Sequence, residues 1–322
     1  LPAVVNKLPD DFLEQFEPIL KNLKSIELTG GDPLLIKTYY ELLHLAESIN
    51  PLIDVLITTN ANTFTKETED LLNRKMKLSF NVSVDSLNED TYSKIRCNGS
   101  LKTALKNIDR FKEYTQKHNT SLGFLVCPLK YNWKELPDFV GFANKHGASL
   151  SYHVVFKPAE HALWSFSSVE LEKILKHLNS FQFTSDNFIG NINVRSYNSL
   201  VHLIESWYKK AIVREQKQVE TLQKIKTDIQ SAKNTLFQNV KSSSIIEKIE
   251  TSISKTKISE HPDLIYIALS KKDKKELVEG INTLSDMELI EKLKLYYSEI
   301  YSSYFYTIQF SDNDKYQNNL LP

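Results

Sequence analysis

A chain of 322 residues with 40 basic and 40 acidic side chains carries no formal net charge, so nothing in its charge balance points to nucleic acid or an anionic membrane as a partner. Hydrophobic residues make up 41% and charged residues 25%, with eight glycines and ten prolines, which excludes a fibrous or disordered chain. Two cysteines, Cys97 and Cys127, cannot build a disulfide framework, and no apolar run approaches the roughly 20 residues of a membrane span.

The first residues, Leu1-Pro2-Ala3, show neither an initiator Met nor a basic-then-apolar signal pattern, so a cytoplasmic protein beginning inside a longer reading frame is expected. From there, short β-branched runs alternate with stretches of helical period. Strands are predicted at 24–28, 53–57, 78–84, 121–126 and 150–156. Between them the spacing predicts helices over 10–22, 36–49, 65–75, 101–117 and 133–146. The strand ends fall 27 to 42 residues apart, the length of a βα unit, and such alternation implies a parallel sheet with helices outside it.

After about residue 160 the pattern turns helical. A capped amphipathic helix is predicted at 167–178, a long one over 195–240 and a last one over 285–302, with a Ser/Thr/Lys/Ile-rich linker at 241–260. Leu222, Ile225, Ile229, Ala232 and Leu236 follow a +3, +4 rhythm that suits a local helix pair. The run Lys271-Lys272-Asp273-Lys274-Lys275 reads as a solvated helix start, the cluster Tyr296, Tyr297, Tyr301, Tyr304, Phe305 and Tyr306 as helix packing, and the tail from Ser311-Asp312-Asn313-Asp314 as frayed. The expected division is a partial barrel over 1–160, post-barrel helices over 161–210 and a helical extension over 211–322.

In parallel α/β folds the site forms at the C-terminal strand ends. Here those ends run into Thr29-Gly30-Gly31-Asp32-Pro33, Thr58-Thr59-Asn60-Ala61-Asn62, Ser83-Val84-Asp85-Ser86, Cys127-Pro128 and Lys157-Pro158-Ala159-Glu160-His161. Paired glycines let a backbone approach a ligand and expose its amides, or simply serve a turn that needs positive φ; the sequence leaves both open. Asp85 with Arg96 fits either a ligand contact or a structural ion pair. His153, Glu160 and His161 have zinc-ligand chemistry but no recognised spacing, and no metal site is assigned to them. Packing roles suit Cys97 and Cys127.

Taken together these segments resemble the radical S-adenosylmethionine (SAM) superfamily, in particular its SPASM/Twitch-type enzymes. Thr29-Gly30-Gly31-Asp32-Pro33-Leu34 is similar to the family's T-G-G-E-P-L, and Thr59-Asn60-Ala61 to its T-N-G. Asn81 to Ser86, followed by Tyr92, Ile95 and Arg96, is similar to V-S-I-D-S…Y…I-R, while Asn107-Ile108 and Tyr131-Asn132…Glu135-Leu136 fit further positions. The resemblance spans residues 8–210. It implies a partial parallel (β/α)6 TIM-like barrel lacking its first strand, with a mainly helical C-terminal region. The implied cofactors are SAM and a [4Fe–4S] cluster. Gly30, Gly31 and Asp32 would hold the SAM amine, Asn60 would shape the pocket, Ser83 would contact the ribose or carboxylate and Arg96 the carboxylate side, with Thr29, Pro33 and Asp85 also in the cofactor site. No catalytic side chain is assigned.

The implied reaction is reductive cleavage of SAM to a 5′-deoxyadenosyl radical that abstracts hydrogen, with a reducing electron donor and a peptide as the expected partners. Two departures stand out: Asp32 replaces the family's Glu and Ala61 its Gly. The family's C-x3-C-x2-C motif is absent, so the chain as given is expected to be inactive, with cluster ligands upstream. The rival readings are a cluster-less barrel acting as an interaction scaffold, and a non-radical aldolase or isomerase, for which neither a buried Lys base nor a late phosphate loop is visible.

Overall fold

The computed structural model describes residues 11–240 and 242–310; the segments at Leu1-Pro2-Ala3 and Ser311-Asp312-Asn313-Asp314 and the Tyr306 side chain lie outside the described ones. The chain divides into two compact units, Leu1–Ala211 and Ile212–Pro322.

The first unit is a βα succession: α1 (Phe12–Leu20), β1 (Ser25–Leu28), α2 (Lys37–Ile49), β2 (Asp54–Thr59), α3 (Lys66–Leu72), β3 (Lys77–Ser83), α4 (Glu89–Ile95), α5 (Leu101–His118), β4 (Leu122–Val126), α6 (Asp138–His146) and β5 (Ser149–Tyr152). The five strands are all parallel and ordered β1-β2-β3-β4-β5. Each strand lies beside its predecessor, as in a barrel wall, with no order reversal of the doubly wound kind. All five C-terminal ends therefore meet on one rim. The fold is α/β with a parallel sheet, as expected, and it is compatible with a partial TIM-like barrel.

Alternation sets the two faces of the sheet. Ile26, Leu28, Val55, Ile57, Leu78, Phe80, Val82 and Phe124 are buried in one core with the helices. Phe80 stacks on Phe111 of α5 at 4.3 Å between ring centroids, and Tyr114 meets Phe80 edge-on. The intervening residues on the other face are half-buried or exposed, apart from Gly123 of β4, which is buried. At the β5 edge, Asn193 stands in for a neighbouring strand: its Oδ1 accepts from Leu150 N at 2.7 Å and its Nδ2 donates to Ala148 O at 3.0 Å.

Four boundaries differ from the sequence expectation. Residues 131–137 form turns, so α6 starts at Asp138; Asn132, whose amide is spent on neighbouring carbonyls, holds the chain out of helix. The strand expected to reach 156 stops at Tyr152. The long helix α8 (Phe188–Asn239) begins earlier than 195, after α7 (Ser168–Leu178), whose start is fixed by a Ser167–Glu170 capping box. The expected linker at 241–260 is mostly helix α9 (Ser243–Lys255). Its Ile245, Ile249 and Ile253 recur every four residues and are buried, a stripe hidden in the sequence by Ser, Thr and Lys.

The second unit packs the end of α8 with α9, α10 (Leu264–Ser270), α11 (Lys274–Thr283) and α12 (Asp286–Phe310). Ile225, Ala232 and Leu236 of the predicted rhythm are buried in its core, whereas Leu222 is 37% exposed. Asp273 caps α11 by accepting from Lys275 N and Glu276 N, as the lysine-flanked run suggests. The tyrosine cluster packs on this core, with Tyr297 donating to Glu260 O and Tyr304 hydrogen-bonded to Asp228. No helix of the described residues is long and apolar enough to cross a membrane.

Candidate active site

The rim is built from three adjacent strand tips. At the β1 tip, Thr29, Gly30 and Gly31 are exposed, and the two glycines adopt φ +84° and +55°. A Cβ placed on either would meet nothing within 4 Å, so these glycines serve backbone conformation and not a close approach. Asp32 follows, 7% exposed, and caps the short 3-10 turn Pro33–Leu35 by accepting from Leu34 N at 3.2 Å. Pro33 opens that turn and is buried, and Tyr40 locks it by donating to Leu34 O.

Asp32 also ties β1 to β2. Its Oδ1 accepts from Thr59 Oγ1 at 2.9 Å, and Thr59 Oγ1 accepts from Ala61 N at 3.1 Å. Its Oδ2 is buried with no hydrogen-bond partner. A buried carboxylate oxygen left unpartnered costs about 1–3 kcal/mol or more, so native proteins rarely keep one without a use. That oxygen is free to accept a hydrogen bond from a donor outside the described residues.

At the β2 tip, Ala61 is buried at φ +56°, the left-handed conformation that explains why a glycine suits this corner. Asn107 Nδ2 pins it by donating to Ala61 O at 2.8 Å. Asn60 is half-buried and accepts from Asn62 N at 2.8 Å. Asn62 in turn donates to Tyr92 Oη at 2.7 Å and accepts from Ser100 N at 2.7 Å, which fastens the corner to α4 and to the start of α5.

At the β3 tip, Ser83 ends the strand half-buried, and Asp85 is 3% exposed. Asp85 resolves its open question as an ion pair: Oδ2 accepts from Arg96 Nε at 2.9 Å and Nη2 at 2.8 Å, and Oδ1 accepts from Cys127 N at 2.8 Å. Asn132 Nδ2 donates to both Asp85 O and Cys127 O, and Glu135 accepts from Ser86 Oγ at 2.6 Å and Leu87 N at 2.9 Å. Thr59, Asn62, Asn132 and Glu135 thus hold the rim together, roles the sequence reading left unassigned. Thr59, Asn132 and Glu135 were visible only as letters of the motifs; Asn62 had no signal beyond its place after Ala61.

A cleft of about 710 Å³ opens over the tips of β2 to β5, walled by Asn60, Asp85, Arg96, Cys127 and His161. Ser83 and the whole Thr29-Gly30-Gly31-Asp32-Pro33 loop are not among its walls. Both thiols reach it, Cys97 exposed and Cys127 partly buried. Burial, helped by the Asp85 charge, pushes the Cys127 thiol up to about 11, so it stays protonated at neutral pH. His161 Nδ1 lies 3.2 Å from Tyr131 Oη; among the described residues no group of three or more His, Cys, Asp or Glu is placed to hold a metal ion.

The rim geometry has a counterpart in the sequence comparisons. Residues 2–143 match the family model described as the radical SAM superfamily. This part of the chain is a radical SAM superfamily domain. Among the curated relatives, the GTP 3′,8-cyclase of Clostridium botulinum (strain Okra) is 28% identical over 194 residues, covering 55% of this chain and 57% of that protein. The GTP 3′,8-cyclase of Rhizobium leguminosarum bv. trifolii is 32% identical over 136 residues, covering 41% and 38%. The chain spans about half the length of the curated relatives it matches. Among solved structures, Streptococcus suis SuiB is similar at 16% identity and TM-score 0.40, covering 52% of this chain and 40% of that one. SuiB bound to S-adenosylmethionine is similar at 17% identity and TM-score 0.39, covering 52% and 38%.

Proposed function

We propose that the rim binds SAM and that this radical SAM domain is the SAM-holding part of an enzyme acting by hydrogen abstraction. The observation that carries the reading is the buried, unpartnered Oδ2 of Asp32, which follows the exposed Gly30-Gly31 turn. Thr29, Gly30, Gly31, Asp32 and Pro33 form the cradle for the amino group, with Thr59 holding the Asp32 carboxylate in place through Oδ1. Asn60 walls the adenosine side of the cleft, with Ser83 on the strand below. Arg96, half of whose role is already spent on Asp85, turns its remaining donors to the carboxylate side. Asp85 acts chiefly by orienting Arg96, with both of its oxygens already engaged inside the chain.

A [4Fe–4S] cluster, when bound, supplies the electron that cleaves SAM to the deoxyadenosyl radical. The side chains present do not fit that cluster: three thiolates are required and the chain contains two cysteines, on separate loops. SAM binding is the function that the chain's own residues support. A reducing electron donor and a peptide substrate complete the proposed reaction.

Isothermal titration of the chain with SAM tests the reading. Binding is expected for the native chain, with protection of Cys127 against alkylation when SAM fills the cleft. A native chain that takes up no SAM overturns the proposal.

A further inference from the structure

The cleft over the tips of β2 to β5 and the proposed cradle for the SAM amine are different places, since none of the residues from Thr29 to Pro33 is among the cleft walls. Three of those walls have no task in the SAM reading. Lys94 stands in the last turn of α4, Tyr131 in the turns after β4, and His161 in the short 3-10 turn Ala159–His161 beyond β5. They come from three separate segments, and two of these are clamped together. Lys130 N donates to His161 O at 3.2 Å, and Leu129 pairs with Ala162 in an antiparallel bridge.

These walls offer donors and few acceptors. Lys94 is exposed and makes no ion pair or hydrogen bond among the described residues, so its three donors are free. Tyr131 Oη and His161 Nδ1 are 3.2 Å apart. A neutral imidazole and a phenol own one donor hydrogen each, and whichever way their bond runs, one hydrogen is left over for a third group. Asn60 has its Oδ1 engaged by Asn62 N, which leaves its amide hydrogens. Against these stands Asp85, the only carboxylate among the walls, with both oxygens engaged by Arg96 and the Cys127 amide. Because Asp85 offsets Arg96, the charge of Lys94 is uncompensated within the cleft.

We propose that this cleft takes its substrate by an anionic group, a carboxylate or a phosphate, received by Lys94 and by the Tyr131–His161 pair. Such oxygens accept several hydrogen bonds and donate none, which is the complement of a donor-rich wall, and the charge strengthens each bond. A neutral amide brings donors of its own, and these would meet too few acceptors here. SAM does not supply the missing negative charge, because its ammonium and sulfonium outweigh its carboxylate. The proposal deepens the SAM reading by naming the chemical group that holds the substrate, and rests on it for the chemistry but not for the binding.

Equilibrium titration of the full chain at low salt, without SAM, tests this with three probes: glutarate, inorganic pyrophosphate and the neutral diamide glutaramide. At least one anion is expected to bind saturably and more weakly as salt rises, and glutaramide is expected not to bind. The tighter of the two anions names the source, carboxylate or phosphate. Lys94→Gln, an exposed change, should weaken the anion about fivefold. The double variant Tyr131→Phe/His161→Phe, which removes both donors of the pair, should weaken it about threefold. Lys77→Gln, at an exposed lysine that begins β3 and so lies at the opposite end of that strand, should leave it unchanged. No anion binding, equal binding of glutaramide, full affinity in both cleft variants, or an equal loss in Lys77→Gln overturns the proposal. Repeating the titration with SAM present separates the two readings. Displacement of the anion by SAM also overturns the proposal, because the donors would then be SAM's own, whereas unchanged or tighter anion binding supports it. A chain that takes up the anion but no SAM sinks the rim reading alone.

Discussion

Two aspartates sit at equivalent places, one after the β1 tip and one after the β3 tip, and both are buried. Asp85 spends both carboxylate oxygens inside the chain, on Arg96 and on the Cys127 amide. Asp32 spends one, on Leu34 and Thr59, and keeps the other dry and unpaired. The same residue type in the same topological position is thus a fastener in one region and, on the proposed reading, a receptor in the other. The difference lies wholly in what surrounds each oxygen, which burial alone does not reveal.

The largest test of that contrast is Asp85→Ala. Removing one partner of a buried, hydrogen-bonded pair strands the other, here a partly exposed Arg96, and should cost about 3 kcal/mol in urea unfolding. Asp32→Asn should cost less than about 1 kcal/mol, because an amide oxygen can still accept from Leu34 N and Thr59. Equal losses would make Asp32 a fastener too. The order should invert for SAM: Asp32→Asn removes a charge-assisted hydrogen bond worth about 1.5–3 kcal/mol, so affinity in titration calorimetry should fall about 10- to 100-fold.

How much of this was legible in the sequence differs by region for physical reasons. The βα order and the rim loops were readable because period-2 apolar runs and Gly-Gly, Thr-Asn and Ser-x-Asp tips are local patterns. The partition of roles among those tips was not, since it depends on Thr59 reaching Asp32 and on Arg96 reaching Asp85, contacts between residues far apart or across elements. The same limit hid α9, whose three isoleucines declare a helix only once α11 and α12 are there to bury them. It also hid α10, a Leu-Ile-Tyr-Ile-Ala-Leu run buried on every side, where periodicity has nothing polar to contrast with.

Cys127 sharpens the comparison at alkaline pH, because its thiol sits against the Asp85 fastener. Its folded pKa of about 11 lies above the ordinary 9. As pH rises past the ordinary value the unfolded chain releases this proton first, while the folded chain holds it, so stability falls between those two values. The contribution is about 1–2 kcal/mol once the solvent reaching the partly exposed thiol is allowed for. Cys127→Ala should flatten that part of the stability–pH curve, measured by urea unfolding across the window. An unchanged slope would mean that burial and the Asp85 charge together do not raise the Cys127 thiol in the folded chain.

The smallest effect belongs to the corner between the two tips. Ala61 holds φ +56° where a residue with a Cβ is strained by about 1 kcal/mol. Ala61→Gly removes that strain. It also gives up a fully buried methyl, worth about 0.8 kcal/mol, and loosens the unfolded chain by a further 0.5–1 kcal/mol, about the cost of a glycine. The terms nearly cancel, so the expected change in unfolding free energy is under about 1 kcal/mol, with SAM affinity unaltered because Asn107 still pins the carbonyl and Thr59 still receives the amide. A gain well beyond that would show that the corner is strained by more than its own dihedral, and that the Thr59–Asp32 link is held under tension. Since Thr59 is what presents Asp32 to the rim, such a gain should then be accompanied by a change in SAM affinity, measurable in the same titration.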